Sequence, residues 1–307
     1  MSDLENKLIT TADNNNLTII NKQLNVYNKL VDKSSERLAK EYFEKAENFY
    51  RKAKDYVKAK EFYIKALDLK PDFEEAYQSY GYFLSIAFKD YTSAIEVFST
   101  LIKLNPRNEL AYFKRGSCKS SLKDYIGNLA DYNEYMKLTK INSDTYVSRA
   151  IIKSRLNDFS GVIDDYTKAI ELDKSNDFAF TYRGIAKFNL KNYEEAIADF
   201  KHSIEIIIEK NKTTNKNENF GIANLKYYGK AKFELGEYKS SLKIFLKCIE
   251  QYPKHHFTYE LIAKVYEKIN DSANHKIHIN KFNILNEEHL KRIERGLLRK
   301  QPNEKKE

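Results

Sequence analysis

The sequence predicts an all-α fold, an α-solenoid of about seven helix pairs, and three observations lead to that prediction. Helix breakers are scarce, with 9 Gly and 4 Pro among 307 residues, so long helices can form. A dipeptide motif, an acidic or amide residue followed by an aromatic one, recurs along most of the chain. Small and aromatic residues recur at fixed offsets around this motif, as expected for helices that pack in pairs.

The dipeptide motif sets the period of the array. Its members are Asp55-Tyr56, Asp90-Tyr91, Asp124-Tyr125, Asp158-Phe159, Asn192-Tyr193, Glu237-Tyr238 and the degenerate Asp271-Ser272. Successive members are 34 or 35 residues apart, except for one interval of 45. We assign the longer interval to an insertion near residues 208–219, where the sequence becomes polar. The period therefore predicts seven units over residues 36–286.

Each unit is predicted to form one helix before the motif and one after it. The first helix carries a small residue in six units, at Gly81, Gly116, Ala150, Gly184, Gly229 and Ala263. The second helix carries an aromatic residue in six units, at Tyr63, Phe98, Tyr132, Tyr166, Phe200 and Phe245. The small residue lets the second helix approach closely, and the aromatic ring fills the space beside it. One pair cannot bury both of its faces, so neighbouring pairs must stack.

The two ends of the chain are predicted to cap this array. Residues 1–16 have the composition of a disordered segment. Residues 17–35 are predicted to form an amphipathic N-terminal capping helix, because its apolar residues follow a helical spacing. Residues 287–307 are predicted to form a C-terminal capping helix that starts after Asn286 and ends in a frayed tail.

The order of residues within a unit resembles the tetratricopeptide repeat family. The order is an aromatic residue, Gly or Ala, the Asp-Tyr motif, Ala, a second aromatic residue and Pro, and it covers about four fifths of the chain. The segments RGSCK, RAIIK and RGIAK resemble a bacterial-style subtype of the family. The resemblance implies a right-handed superhelix with a concave groove, lined by the first helices, that holds peptides or partner proteins.

Residue patterns typical of catalysis were not found, so the sequence predicts no enzyme, no cofactor and no metal. It has no Gly-rich phosphate loop, paired-histidine zinc motif or nucleophile elbow. It also shows no signal peptide and no membrane span, which predicts a cytoplasmic protein. The formal net charge of +9 leaves an alternative function, binding of nucleic acid or an anionic surface. The mixing of lysines with acids along the helices argues against it and favours a protein or peptide partner.

Three units share a charged pattern that predicts buried ion pairs between their two helices. The first helix carries Arg and Lys four residues apart, and the second carries Asp at one offset. We call each set an Arg-Lys-Asp triad: Arg115, Lys119 and Asp131; Arg149, Lys153 and Asp165; Arg183, Lys187 and Asp199. In the first two units all of these positions are apolar or aromatic, so cations and acid occur together. The alternative is that the nine side chains are simply solvated.

The predicted peptide groove consists of first-helix residues that the repeat does not need for packing. Its residues are Tyr82, Phe113, Lys114, Ile151, Phe178, Tyr182, Ile185, Phe188, Lys226, Tyr227, Lys230 and Phe233. Aromatic residues outside the packing positions favour a binding surface, because contiguous apolar patches are uncommon on monomers. The alternative is that these rings pack on one another. If they bind a peptide, Lys226 and Lys230 favour an acidic residue at one end of it.

Overall fold

A computed structural model describes residues 21, 22, 25, 33–214 and 219–298, with side chains described up to residue 295. The described residues form seven helix pairs and no strand. The first two pairs are α1 (residues 33–48, then a π-helical turn Phe49–Ala53) with α2 (Tyr56–Leu69), and α3 (Glu74–Phe83, then a π-helical turn Leu84–Phe88) with α4 (Tyr91–Leu104). The next three are α5 (Glu109–Ser121) with α6 (Tyr125–Leu138), α7 (Ser143–Arg155) with α8 (Phe159–Leu172), and α9 (Asp177–Asn189) with α10 (Tyr193–Thr214). The last two are α11 (Ile222–Glu234) with α12 (Tyr238–Gln251), and α13 (His256–Lys268) with α14 (Ser272–Leu298).

The Asp-aromatic motif starts the second helix of each pair, and in five pairs its aspartate side chain caps that helix. Its first residue is the N-cap, and the side chain of Asp124, for example, accepts a hydrogen bond from the backbone N–H of Gly127 at 2.8 Å. The residue before the motif adopts positive φ in all seven pairs, at Lys54, Lys89, Lys123, Asn157, Lys191, Gly236 and Asn270. This left-handed residue reverses the chain between the two helices. Only the sixth pair has glycine there.

The helix pairs form two compact halves, which divide after Thr139. In the N-terminal half, α1–α6, the core contains Ala59, Tyr63, Ala94 and Phe98, each fully buried. A Cβ added to Gly81 would lie 2.7 Å from Cζ of Phe98, so only glycine permits this close approach. In the first pair the small residue is replaced by Glu47, whose carboxylate accepts hydrogen bonds from the Tyr63 hydroxyl and from Arg51. Burial and the Glu47 carboxylate raise the pKa of Tyr63.

The C-terminal half, α7–α14, repeats the same packing. Phe200 and Phe245 are buried against Gly184 and Gly229, where an added Cβ would meet the rings at 2.8 and 2.3 Å. The predicted insertion lengthens the second helix of the fifth pair: α10 has 22 residues, whereas α8 has 14. Lys210, in this extension, forms an ion pair with Asp177 at the start of α9. Residues 215–218, the rest of the insertion, lie outside the described residues.

The structure changes the predicted C-terminal boundary. α14 is one helix of 27 residues from Ser272 to Leu298, so no separate capping helix starts after Asn286. No proline or glycine occurs between Ser272 and Arg295, and the second helix of the seventh pair therefore continues. At the other end, α1 is already helical at residue 33 and passes without a break through the predicted boundary at residue 35. The predictions for residues 1–16, for most of 17–32 and for the tail 299–307 fall outside the described residues.

Candidate functional site

The groove residues of the N-terminal half form one small cluster on α3 and α5. Tyr82 is 40% exposed, and the ammonium of Lys114 lies 5.1 Å from the centre of its ring. The same ammonium lies 5.7 Å from the ring centre of Phe113. Phe113 is half-buried and packs on Tyr135 of α6 at 5.3 Å between ring centres. Lys114 therefore lies between one exposed ring and one ring that the repeat partly uses for packing.

The most exposed aromatic groove residues of the C-terminal half are Phe178 and Tyr182 on α9. They are 40% and 36% exposed and lie four residues apart, so they occupy one face of the helix. Their ring centres are 4.1 Å apart. Tyr166, buried on α8, supports both rings at 6.4 and 6.3 Å. Phe178 and Tyr182 thus form an exposed aromatic platform on a rigid base.

A second cluster combines two rings with two lysines. Phe188 of α9 and Tyr227 of α11 meet edge to face, with ring centres 5.3 Å apart. Lys226 and Lys230 lie over the Tyr227 ring at 4.9 and 5.4 Å, and Lys230 also lies 5.8 Å from the Phe188 ring. Burial, and then the nearby Lys230 charge, lower the pKa of Lys226. All four side chains are half-buried, so this cluster is more enclosed than the Phe178–Tyr182 platform.

The remaining groove residues, Ile151, Ile185 and Phe233, lie outside these clusters of rings and lysines. Ile151 of α7 is 41% exposed, and Ile185 of α9 is half-buried. Phe233 of α11 is half-buried and packs on Tyr238 of α12 at 5.3 Å. It lines a small cleft of about 140 Å³ together with Lys230. The structure therefore divides the predicted groove residues into exposed rings, which can contact a partner, and rings that are partly used for packing.

The structure brings each Arg-Lys-Asp triad together within its helix pair. The aspartate side chains are almost completely buried, and the cations are between 14% and 23% exposed. In the fourth pair, Arg149 donates from Nε and Nη2 to both oxygens of Asp165, at 2.9 and 2.6 Å, and Lys153 lies 2.9 Å from Oδ2. Arg115 and Lys119 hold Asp131, and Arg183 and Lys187 hold Asp199, with distances between 2.7 and 3.0 Å. Each triad is thus a forked charge-assisted contact that joins the two helices of one pair.

Two triad arginines also contact the preceding helix pair. Arg115 donates to the hydroxyl of Ser99 on α4, and Arg183 donates to the hydroxyl of Thr167 on α8, each at 3.1 Å. Each guanidinium also lies over the aromatic ring three residues before it; for Arg183 and Phe180 the distance is 5.4 Å. Because of these contacts, the triads of Arg115 and Arg183 link neighbouring pairs as well as the helices within one pair.

The sixth pair keeps only the lysine of this pattern. Its three equivalent positions are Tyr228, Lys232 and Ile244. Lys232 forms an ion pair at 2.6 Å with Glu237, the first residue of the motif that starts α12. Glu237 is 43% exposed at the start of α12, so it does not take the place of the buried triad aspartate, whose position is occupied by Ile244.

A group of lysines that was not among the predicted site residues lies on helices of the fifth and sixth pairs. Lys243 and Lys247 lie one turn apart on α12, and with Lys201 of α10 and Lys232 they line a cleft. The spacing of Lys243 and Lys247 was visible in the sequence. That α10 places a further lysine beside them depends on how the pairs stack.

Among the described residues, no helix combines the length and the apolar character needed to cross a membrane.

Comparison with known proteins identifies repeats in three parts of the chain. Family profiles of the tetratricopeptide repeat match residues 42–73, 183–207 and 227–255. No curated protein matches the chain in sequence.

Several solved structures share the fold. A tetratricopeptide repeat protein from Parabacteroides merdae is similar with a TM-score of 0.53 and 16% identity, over 80% of this chain and 93% of that one. The C-terminal part of a TPR repeat-containing protein from Cytophaga hutchinsonii has a TM-score of 0.54 and 20% identity, over 68% and 78%. YrrB, described as a TPR protein with an unusual peptide-binding site, has a TM-score of 0.52 and 15% identity, over 65% and 96%. At these identities the similarity establishes the fold alone.

Proposed function

Since this chain is a tetratricopeptide repeat protein, we propose that it is a non-catalytic scaffold that holds a peptide or a segment of a partner protein on its first helices. The observation that carries the proposal is the platform formed by Phe178 and Tyr182. Both rings are exposed, both lie on a first helix, and neither occupies a position that the repeat uses for packing. Rigid aromatic residues bind partners at a low entropic cost and are common among the residues that dominate binding energy.

The charges near the groove residues support a protein partner over nucleic acid. Lys114, Lys226 and Lys230 are half-buried, and each lies over an aromatic ring. The cations of the triads are neutralised by buried aspartates, so they are not available to phosphates. YrrB, which shares the fold, is described as having a peptide-binding site, and this is consistent with a peptide ligand here.

The test removes the platform and compares what the full chain captures. Wild type and the double variant Phe178→Ala with Tyr182→Ala are used in pull-downs from a lysate, and retained proteins are identified by mass spectrometry. Loss of two central anchors should weaken binding of a recovered partner by about 2 kcal/mol or more, roughly thirtyfold in Kd.

The matched control is Leu172→Ala with Leu246→Ala, which removes two exposed apolar side chains from second helices. Circular dichroism first establishes that both variants are folded. If the platform variant retains every partner of wild type with unchanged affinity, the binding surface lies elsewhere. If binding to a nucleic acid instead falls steeply with salt in a filter assay and no protein is retained, the scaffold proposal is wrong.

A further inference from the structure

A cleft in the C-terminal half has a lining that is cationic and contains no acid. It has a volume of about 410 Å³ and lies between α10, α11 and α12. Four of the described residues that line it are lysines, namely Lys201, Lys232, Lys243 and Lys247, and none is Asp or Glu. Tyr228 and Ser240 add two hydroxyl groups, and isoleucine and leucine side chains form the rest of the wall.

This cleft lies at the positions where the third, fourth and fifth pairs hold their triads. The sixth-pair residues at the triad positions, Tyr228, Lys232 and Ile244, all line it. In the third, fourth and fifth pairs the same positions contain an arginine fork, a lysine and a buried aspartate. The sixth pair has therefore kept the lysine and replaced the acid with an apolar residue.

The lysines of the cleft lack the internal carboxylates that the triad cations have. Lys232 is paired with Glu237 at the rim. Within the described part of the chain, no carboxylate lies within 4.0 Å of Lys201, Lys243 or Lys247. Lys247 lies instead over the ring of Phe220, at 4.5 Å. Like charges that share a cleft repel one another, and an incoming anion relieves that repulsion.

We propose that this cleft binds an acidic segment of a partner protein, with one Asp or Glu carboxylate taking the place of the missing triad aspartate. The triads show that a lysine at this position holds a carboxylate at 2.9 to 3.0 Å. The apolar wall accepts the aliphatic part of the same segment. That the partner is a protein rests on the proposed function. The residues of the cleft, however, are different from those of the aromatic platform.

A direct binding measurement with a defined probe tests this proposal. The probe is a fluorescein-labelled decapeptide of glutamate and leucine, and its control replaces each glutamate with glutamine. Fluorescence anisotropy with the full chain should show binding of the glutamate peptide only. The Kd should rise about tenfold or more when salt is increased from about 50 mM to about 500 mM, because exposed charges are screened. Equal binding of the glutamate and glutamine peptides would overturn the proposal. So would the binding of a peptide with phosphoserine in place of each glutamate, if the glutamate peptide itself does not bind.

Two variants assign binding to the cleft. Tyr228→Arg with Ile244→Asp rebuilds a triad and supplies an internal carboxylate, so the glutamate peptide should bind about tenfold more weakly or not at all. Lys243→Gln with Lys247→Gln should also weaken binding about tenfold, and it remains informative if the rebuilt triad does not fold.

A matched pair of lysines controls for net charge. Lys174→Gln with Lys276→Gln removes the same charge from exposed positions elsewhere in this half and should leave the Kd within about twofold. If this control weakens binding as much as the Lys243–Lys247 variant does, the peptide is attracted by net charge and the cleft is not its site. The variant Phe178→Ala with Tyr182→Ala should still bind the glutamate peptide. The two proposals, for the cleft and for the aromatic platform, can therefore be refuted independently.

Discussion

Replacing Asp165 with alanine is the most informative test of what stabilises the middle helix pairs. Asp165 is 2% exposed and receives a forked contact from Arg149 together with the ammonium of Lys153. The substitution removes the only carboxylate among these three groups. It leaves two cations four residues apart on α7, facing the methyl group of the new alanine on α8.

The expected loss follows from the burial of the three groups. Breaking a fully buried ion pair costs about 3 to 5 kcal/mol, because an unpaired charge stays buried, whereas an exposed pair contributes below about 1 kcal/mol. The Arg149 and Lys153 side chains are 23% and 16% exposed, so both can turn partly towards water. We therefore expect a loss near the lower end of the buried range, about 3 kcal/mol. For a compact half of this size, that corresponds to a fall in Tm of roughly 6 to 12 °C.

Urea unfolding followed by circular dichroism measures the loss, with Asp164→Ala as the matched control. Asp164 is the exposed neighbour on the same helix, and its replacement should change the free energy of unfolding by less than about 0.5 kcal/mol. If the free energy of unfolding of Asp165→Ala is within about 1 kcal/mol of that of wild type, the triad contributes no more to stability than an exposed ion pair does. The triple change Arg149→Met, Lys153→Met and Asp165→Leu should recover most of the stability, because no charge is then left unpaired.

Two further predictions concern the repeated turn and the buried thiols. Lys123 has φ of +64° before its motif, so Lys123→Gly should raise the free energy of unfolding by up to about 1 kcal/mol, and Gly236→Ala at the equivalent position should lower it by a similar amount. Urea titrations measure both changes. A loss of stability in Lys123→Gly would contradict the turn assignment. Cys118 is buried and its pKa is raised by that burial to about 11, so in a Cys248→Ala background iodoacetamide at pH 8 should label the folded chain about a hundredfold or more slowly than the urea-unfolded chain. Equal labelling rates would show that the thiol is accessible.

The triads and the aromatic core are two solutions to one packing problem. In the first two pairs these positions hold residues such as Tyr50, Phe62 and Tyr80. Phe62 stacks on Phe49, and Tyr80 packs on Tyr63 with a tilted ring. In the third to fifth pairs a charged triad fills the same space. An aromatic core needs only shape complementarity, whereas a triad needs all of its partners at once. Single substitutions should therefore be less well tolerated in the middle pairs.

The sequence alone determined the helix pairs, because their determinants are local. The N-cap of Asp124 and the positive φ of Lys123 involve neighbours within a few residues, and the interval of 34 residues counts such turns along the chain. The close contact of Gly81 with Phe98 was also predictable, since the same two residue types recur in other pairs. The C-terminal boundary was not predictable in this way. Asn286 is a plausible N-cap in sequence, but α14 continues through it because its neighbours remain compatible with a helix.

Only the tertiary structure decided how exposed each predicted site residue is. The sequence placed Tyr182 and Phe188 together as groove residues, but stacking leaves Tyr182 exposed and packs Phe188 edge to face on Tyr227 of the next pair. It likewise gave no sign that Lys201 would join the lysines of α12 around a cleft. Repeat periodicity fixes which face of a helix meets its partner. The exposure of one side chain depends on neighbours tens of residues away, whose sizes and charges differ from one pair to the next.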